Sequence, residues 1–460
     1  MKVSDVTLER VNELTFTVSL PQGSTPFTFT LPTYLREVTD LIKQNDADLV
    51  QAQVIHTFDT FDPDGNYLAD NNFRALLYDW SDLNGDGNLW TDANSNGVVE
   101  TSEIDGTTGP NGESEYNRIA YGYPRGTYIE VSAGRDALSR ANDGVFFAIQ
   151  RRRGAAPIDL QVRMSFYKKV DWNLVTTSAA GMNVPAKGTA TFNATMQVPS
   201  DARPGVYQGA IEVSEGTNKS VIAVMTHVAA NSTTFDFGAA SLSEKPGTNP
   251  YTNGHLFGGF DWSWRYDSGD WRFFFYDVPD GTAKPGQKMI VDTDWADDQT
   301  DVDTWVYGAD KENVYSTEDP AFFGPSGVVQ VGGSNNTNVA TTDGNGTFIF
   351  DTTTGGSREV VGGDIRDGLG AIMLHNVLNG GKQFAEPFTG SAYQVGIAPF
   401  PATISTTLSN GTIPFTFTTT RAISEGLGIL AFGLTEPVTA TQETTNQDNP
   451  NDACTASFCA

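Results

Sequence analysis

The chain has 460 residues, with 28 Lys and Arg against 56 Asp and Glu and a net charge of −28. That length exceeds what one hydrophobic core organises, so about three domains are expected. The acidic balance argues against nucleic acid or an anionic membrane surface as partner and suits cation binding. No segment approaches 18 consecutive apolar residues, so no membrane span is expected. Met1–Val6 lacks the apolar run of a signal peptide, so the chain is expected to be the mature part of a longer secreted precursor, or else Met1 is not native to it.

In chain order, the pattern is nearly all β, with alternating runs separated by turns at short intervals. Thr15–Leu20 and Phe27–Leu31 alternate with period 2 around Pro21-Gln-Gly, and a helix is expected only over Tyr34–Leu49 and briefly near Asp136–Ala141. Arg74–Trp80 is a strand that leads straight into an Asp/Asn/Gly-rich stretch. Arg118–Tyr123, Gly144–Gln150 and Leu160–Phe166 continue the strand pattern, which gives a first unit over 1–168, a β-sandwich with one cation-binding edge. The Arg151-Arg-Arg153 run reads as a solvated strand end rather than a processing or anion site.

The Asp/Asn/Gly-rich stretch carries the most specific signal in the chain. Asp92, Asn94 and Asn96 fall at positions 1, 3 and 5 of a twelve-residue calcium loop, with Gly97 at the sharp turn. Val98 offers its carbonyl at position 7, Glu100 stands at 9, and Glu103 supplies the closing carboxylate at 12. A hard cation needs six to eight oxygens from a short segment, and alternate residues of a tight loop point them at one centre. Asp82, Asn84, Asp86, Gly87 and Asn88 begin the same pattern ten residues earlier, but position 12 of that copy is Ala93. Asp92, at position 11, is therefore expected to be shared by two neighbouring calcium ions. The bland alternative is a solvated turn. The ions are expected to stabilise structure rather than to do chemistry.

A second unit over 169–232 has the size of a small immunoglobulin-like sandwich, with Val198–Val213 and Ser220–Val228 as its clearest strands. A third, 233–438, holds strands at Gly269–Pro279, Met289–Trp295 and Asp301–Tyr307. Asp292, Asp294, Asp301 and Asp303 form a further candidate cation set, or else the wet face of an edge strand. The tail 439–460 is polar and linker-like. It contains both cysteines, Cys454 and Cys459, whose disulfide would staple almost nothing. Asn193, Asn218, Asn231, Asn335, Asn345 and Asn410 stand in Asn-x-Ser/Thr glycosylation motifs, many of them expected by chance in a chain of this composition.

Tyr78-Asp-Trp-Ser-Asp-Leu-Asn-Gly-Asp-Gly87, then Val198-Pro-Ser-Asp-Ala-Arg-Pro-Gly-Val-Tyr-Gln-Gly209, then Asp270-Trp271 with Asp301-Val-Asp-Thr-Trp-Val-Tyr307, occur in an order that resembles one family. It is the non-catalytic C-terminal region of large secreted subtilisin-like proteases, the pyrolysin-like group. The resemblance covers most of the chain and implies an immunoglobulin-like unit followed by a pre-peptidase C-terminal jelly roll. It also implies an extracellular or cell-surface setting and a subtilisin-like catalytic domain as partner.

The catalytic residues of that family are missing. His56, His227, His255 and His375 are the only histidines, and no Ser stands in the Gly-Thr-Ser-x-Ala setting of a subtilisin nucleophile. Gly-x-Ser-x-Gly and His-Glu-x-x-His are absent too. Three functions follow as expectations. The chain is a calcium-stabilised accessory region that stabilises, anchors or positions a protease domain. Alternatively it is a filament or surface-layer subunit that assembles with copies of itself. The third reading is a calcium-dependent carbohydrate-binding or adhesive module, pointed to by Trp262, Trp264 and Trp271.

Overall fold

A computed structural model describes residues 1–20, 34–56, 73–95, 103–104, 113–122, 128–139, 143–151, 157–250, 252–258, 270–284, 287–297, 300–309, 328–333, 341–342, 348–350, 357–378, 381–395, 402–406 and 415–419. The opening alternation extends well beyond Thr15: β1 runs from Lys2 to Leu20, roughly 60 Å of extended chain. A bulge between Arg10 and Asn12 divides it. After the bulge Val18 and Leu20 are buried in the main core of the first unit, with Leu14 and Phe16 packed against it; before it, Val3 enters a second core. The extra residue switches which face of the strand is buried, so one strand serves two cores.

The first unit adds β2 (Tyr34–Glu37), α1 (Thr39–Asn45), β3 (Leu49–Ile55), β4 (Phe73–Trp80), β5 (Tyr116–Gly122), β6 (Tyr128–Gly134), α2 (Arg135–Leu138), β7 (Gly144–Arg151) and β8 (Ile158–Asp171). One sheet runs β1-β8-β3-β6 and the facing sheet β2-β7-β4-β5, all antiparallel. That order, 1-8-3-6 over 2-7-4-5, is a jelly roll. Val50, Ala52 and Val54 of β3 and Phe147 and Ile149 of β7 fill the space between the sheets. The helix expected over Tyr34–Leu49 is confined to Thr39–Asn45, because β7 pairs with Tyr34–Glu37 and β8 with Leu49 onward. It ends at Asp46 in a left-handed conformation, φ 47°. Phe27–Leu31 lies outside the described residues.

β9 (Val175–Thr177), β10 (Ala194–Met196), β11 (Gly205–Glu215) and β12 (Asn218–Val228) form the middle unit. β11 and β12 are a long hairpin whose first strand pairs with Lys2–Val6 of β1, so the hairpin extends the first sheet to β12-β11-β1-β8-β3-β6. The middle unit keeps a small core of Val3, Trp172, Val175 and Ile211, but one wall of it belongs to β1. The division expected at 168/169 falls inside β8.

The third unit contains β13 (Thr234–Gly238), β14 (His255–Leu256), β15 (Trp271–Val278), β16 (Lys288–Trp295), β17 (Asp301–Ala309), β18 (Val328–Gly333), β19 (Thr341–Thr342), β20 (Phe348–Phe350), β21 (Arg358–Asp364), β22 (Gly368–Leu378) and β23 (Glu386–Val395). Its sheets run β13-β23-β16-β21 and β15-β22-β17-β18, with β14, β19 and β20 as additions. Leaving those additions out, this is the same strand order as the first unit. The chain is thus all β, with two jelly rolls in tandem joined by a hairpin that belongs to the sheet of the first. A further hairpin pairs Ala402–Thr406 with Phe415–Thr419. The 439–460 tail lies outside the described residues, and among the described residues no helix is long and apolar enough to cross a membrane.

Aromatic rings lie over glycines on neighbouring strands at several points. A Cβ added to Gly390 would sit 2.1 Å from the Phe237 ring, at Gly370 2.3 Å from Tyr276, and at Gly209 2.4 Å from Trp172. Gly390 and Phe237 are register partners across β23 and β13. Gly390→Ala is therefore expected to destabilise the third unit by about 1–3 kcal/mol through overpacking, read by urea denaturation.

Candidate metal centre

β4 and β5 are antiparallel neighbours at the edge of the second sheet of the first unit, and residues 81–115 connect them. Asp82 organises the start of that connection. Its Oδ1 accepts the backbone N–H groups of Gly85 and Asp86 at 2.7 and 3.1 Å, and its Oδ2 that of Gly87 at 2.9 Å. Gly85 and Gly87 have φ of 78° and 76°, the left-handed region that glycine enters without strain. The Asn84 Oδ1 accepts from the Asp86 N–H at 2.8 Å, and the Asp86 Oδ1 from the Asn88 N–H at 2.7 Å. Asp82 donates its own N–H to the Asp143 Oδ2 at 2.7 Å. The chain coils around its own carboxylates, as Asp and Asn side chains do in tight turns.

In the second loop, Asp92, Asn94 and Glu103 are described, whereas Asn96, Gly97, Val98 and Glu100 lie outside the described residues. Glu103 is buried, and its Oε1 accepts the N–H groups of Ala93 and Asn94 at 2.9 and 3.4 Å. The predicted last ligand of this loop is therefore held against the backbone of the two residues that follow the predicted first, Asp92.

Sequence reasoning missed Glu115. It is fully buried, and its Oε1 accepts the N–H groups of Leu83 and Asn84, both at 3.0 Å. Its Oε2 is buried with no hydrogen-bond partner among the described residues. An unpartnered oxygen on a buried carboxylate is costly, and a cation satisfies it. Among the described residues no three His, Cys, Asp or Glu side chains already converge on one point. The first loop offers a mixed set instead: the carboxylates of Asp82, Asp86 and Glu115, the Asn84 amide oxygen and, by loop position, the Asn88 carbonyl. All are hard oxygen donors suited to calcium, whose bound charge would offset the crowded carboxylates.

The other candidate set is divided by the fold. Asp292 and Asp294 are on β16, where Arg358 pairs with both, its Nε 2.8 Å from the Asp292 Oδ1 and 3.7 Å from the Asp294 Oδ1. Asp301 and Asp303 are on β17 in the facing sheet. Burial and the Asp292 charge push the Asp294 carboxyl up, against the pull of Arg358. Arg358 thus supplies positive charge to the β16 pair.

Each histidine lies against an aromatic ring or a carbonyl. His56 lies edge-on to Phe73, His227 edge-on to Phe275, and His375 stacks on Trp271 with centroids 3.7 Å apart. The His255 Nε2–H donates to the Glu244 carbonyl at 2.8 Å. Trp271 also stacks against Trp305, while Trp262 and Trp264 lie outside the described residues. Asn193, Asn218 and Asn231 are exposed; Asn335, Asn345, Asn410, Cys454 and Cys459 lie outside the described residues.

One buried carboxylate outside the loops is structural. The Glu386 Oε1 accepts the N–H groups of Ala296 and Asp297 at 2.8 and 2.7 Å, and its Oε2 a hydrogen bond from Gln383 at 2.8 Å. It latches the segment after β16 to the start of β23. Burial pushes its carboxyl above the usual 4.5 despite these donors. The native state then holds this proton more tightly than the unfolded chain does. Its contribution to stability is present below the unfolded value and lost as pH rises through the folded one. Wild type is expected to lose stability relative to Glu386→Gln as pH rises from 4.5, measured by urea denaturation across a pH series.

No protein family and no curated protein matches this sequence. Among solved structures, that of the Macrobrachium rosenbergii nodavirus is similar over 85% of this chain and 89% of its own, at 7% identity and a TM-score of 0.17. A likeness at that level bears on neither fold nor function.

Proposed function

We propose that this chain is a non-catalytic, calcium-stabilised scaffold that works outside the cell. The observation that carries this reading is the paired loop architecture between β4 and β5, where backbone N–H groups fix a row of hard oxygen donors beside a buried glutamate. Tandem jelly rolls provide rigid mass, and among the described residues His375 stacks on Trp271 while His255 donates to the Glu244 carbonyl. The accessory region of a subtilisin-like protease is the setting that the sequence resemblance implies. It accounts for a large β scaffold without a triad. The purified chain is expected to turn over neither casein nor chromogenic peptides. Turnover abolished by an active-site serine reagent would defeat the reading.

A second reading, a self-assembling subunit of a filament or surface layer, is favoured by β12. Among the described residues this strand pairs only with β11, and it exposes Val221 at 58% and Met225 at 62%. A long exposed apolar edge is a template for pairing with another chain. Concentration-dependent polymers in sedimentation velocity, lost in Met225→Lys, would select this reading over the first.

A further inference from the structure

The described ends of the two loops follow one pattern, and the match extends to Glu103 and Glu115. Asp82 and Asp92 stand at position 1, and a Trp-Ser or Trp-Thr pair precedes each: Trp80-Ser81 and Trp90-Thr91. At position 4, Gly85 has φ 78° and Ser95 has φ 57°, the left-handed region in which a non-glycine residue is uncommon. In the second loop the N–H groups of positions 2 and 3, Ala93 and Asn94, donate to the Glu103 Oε1. In the first, positions 2 and 3 are Leu83 and Asn84, and both donate to the Glu115 Oε1.

The backbone repeats the correspondence. The Thr91 N–H donates to the Glu103 carbonyl at 2.9 Å, and the Ser81 N–H to the Glu115 carbonyl at 2.7 Å. Trp90 forms an antiparallel bridge with Ile104, the residue after Glu103, while Trp80 pairs antiparallel with Tyr116, the residue after Glu115. Each unit is therefore a short antiparallel clasp with Trp on one arm and the closing Glu, then an apolar or aromatic residue, on the other. The second clasp is inserted into the first.

Building on the calcium reading above, we propose that Glu115 is the closing ligand of the first calcium loop, in the role that Glu103 plays in the second. Asp92 then belongs to the second loop alone. The Ala at position 12 of the first loop is no defect, because the closing carboxylate arrives from the far side of the insertion. A separate observation points to the ion: Glu115 is 0% exposed, its Oε1 is held by the loop, and the Oε2 on the same carboxyl carbon has no partner among the described residues. No ion pair joins Glu115 to a basic residue among the described residues. An ion bound there would tie the end of β4 to the start of β5 directly.

Calcium titration calorimetry on the full chain tests this with wild type, Glu115→Gln and Asp92→Ala. Gln keeps an oxygen for the Leu83 and Asn84 N–H groups, so near-ultraviolet circular dichroism should show both jelly rolls folded. Wild type is expected to bind one ion per loop. Glu115→Gln should weaken one site by at least about tenfold and leave the other unchanged. Asp92→Ala should likewise remove one ion and keep the other. Equal stoichiometry and affinities in wild type and Glu115→Gln would overturn the assignment of Glu115, and loss of both ions in Asp92→Ala would restore a shared Asp92. Absence of any calcium binding by wild type would instead defeat the calcium reading itself.

Discussion

Chelating calcium is expected to lower the melting temperature of the first jelly roll by on the order of 10–20 °C while moving the second far less. An ion that binds only the native state stabilises it by RT ln(1 + [L]/Kd), about 2.7 kcal/mol at a hundredfold excess over Kd. Two loops together give about 5 kcal/mol, and a unit of this size shifts about 2–4 °C per kcal/mol. A second effect adds to the first. Asp82, Asp86, Asp143 and Glu115 are joined through the same short run of backbone, Asp82 to Asp143 and Glu115 to Leu83 and Asn84. Without a cation their charges repel one another. The destabilisation should begin locally, because β5 lies at the edge of its sheet and the loops connect it to β4. Scanning calorimetry with and without chelator separates the transitions. Equal shifts in both, or in neither, would contradict the placement of the ions in the first unit.

Phe388→Ala is expected to cost the second jelly roll about 3–5 kcal/mol and to leave the calcium response of the first intact. Phe388 is fully buried between the two sheets, with Phe274 5.8 Å and Phe237 6.4 Å away, ring centre to ring centre. Its neighbours are held in place: Phe237 lies over Gly390, and the Phe388 carbonyl accepts the Ala239 N–H at 2.8 Å. A site fixed on these sides collapses poorly, so the cavity term stays large. Urea denaturation followed by tryptophan fluorescence measures the loss. A change below 1 kcal/mol would mean that this core is not packed as described.

What the sequence made legible depended on how far apart the interacting residues lie. Met289–Trp295 and Asp301–Tyr307 read correctly as strands because alternation is local. The Val50-Gln-Ala-Gln-Val54 alternation is equally legible, although it adjoins a helical pattern that α1 satisfies only in part. The pairing of Tyr34–Glu37 with β7 is long-range, and it overrode local helical preference. The repeated strand order of the two jelly rolls is a matter of distant pairings that no periodicity encodes. The candidate site divides in the same way. The second loop could be read whole from Asp92 to Glu103 because its ligands are contiguous. Glu115 is separated from Asp82 by an inserted copy of the same motif. The signal that points to it is the clasp pattern itself: Trp-Ser-Asp-x-Asn and Trp-Thr-Asp-x-Asn demand two closing glutamates, and Glu115-Tyr116 follows Glu103-Ile104. The pairing of Asp292 with Arg358 was not legible, because Arg358 is far away in sequence and adjacent only across β21.

The most direct measurement is the calcium content of the full chain. The purified protein would be stripped with chelator, equilibrated in buffer of known calcium concentration, and analysed by inductively coupled plasma mass spectrometry against a dialysate blank. One calcium ion per loop is the predicted result, and a content equal to the blank would contradict the account.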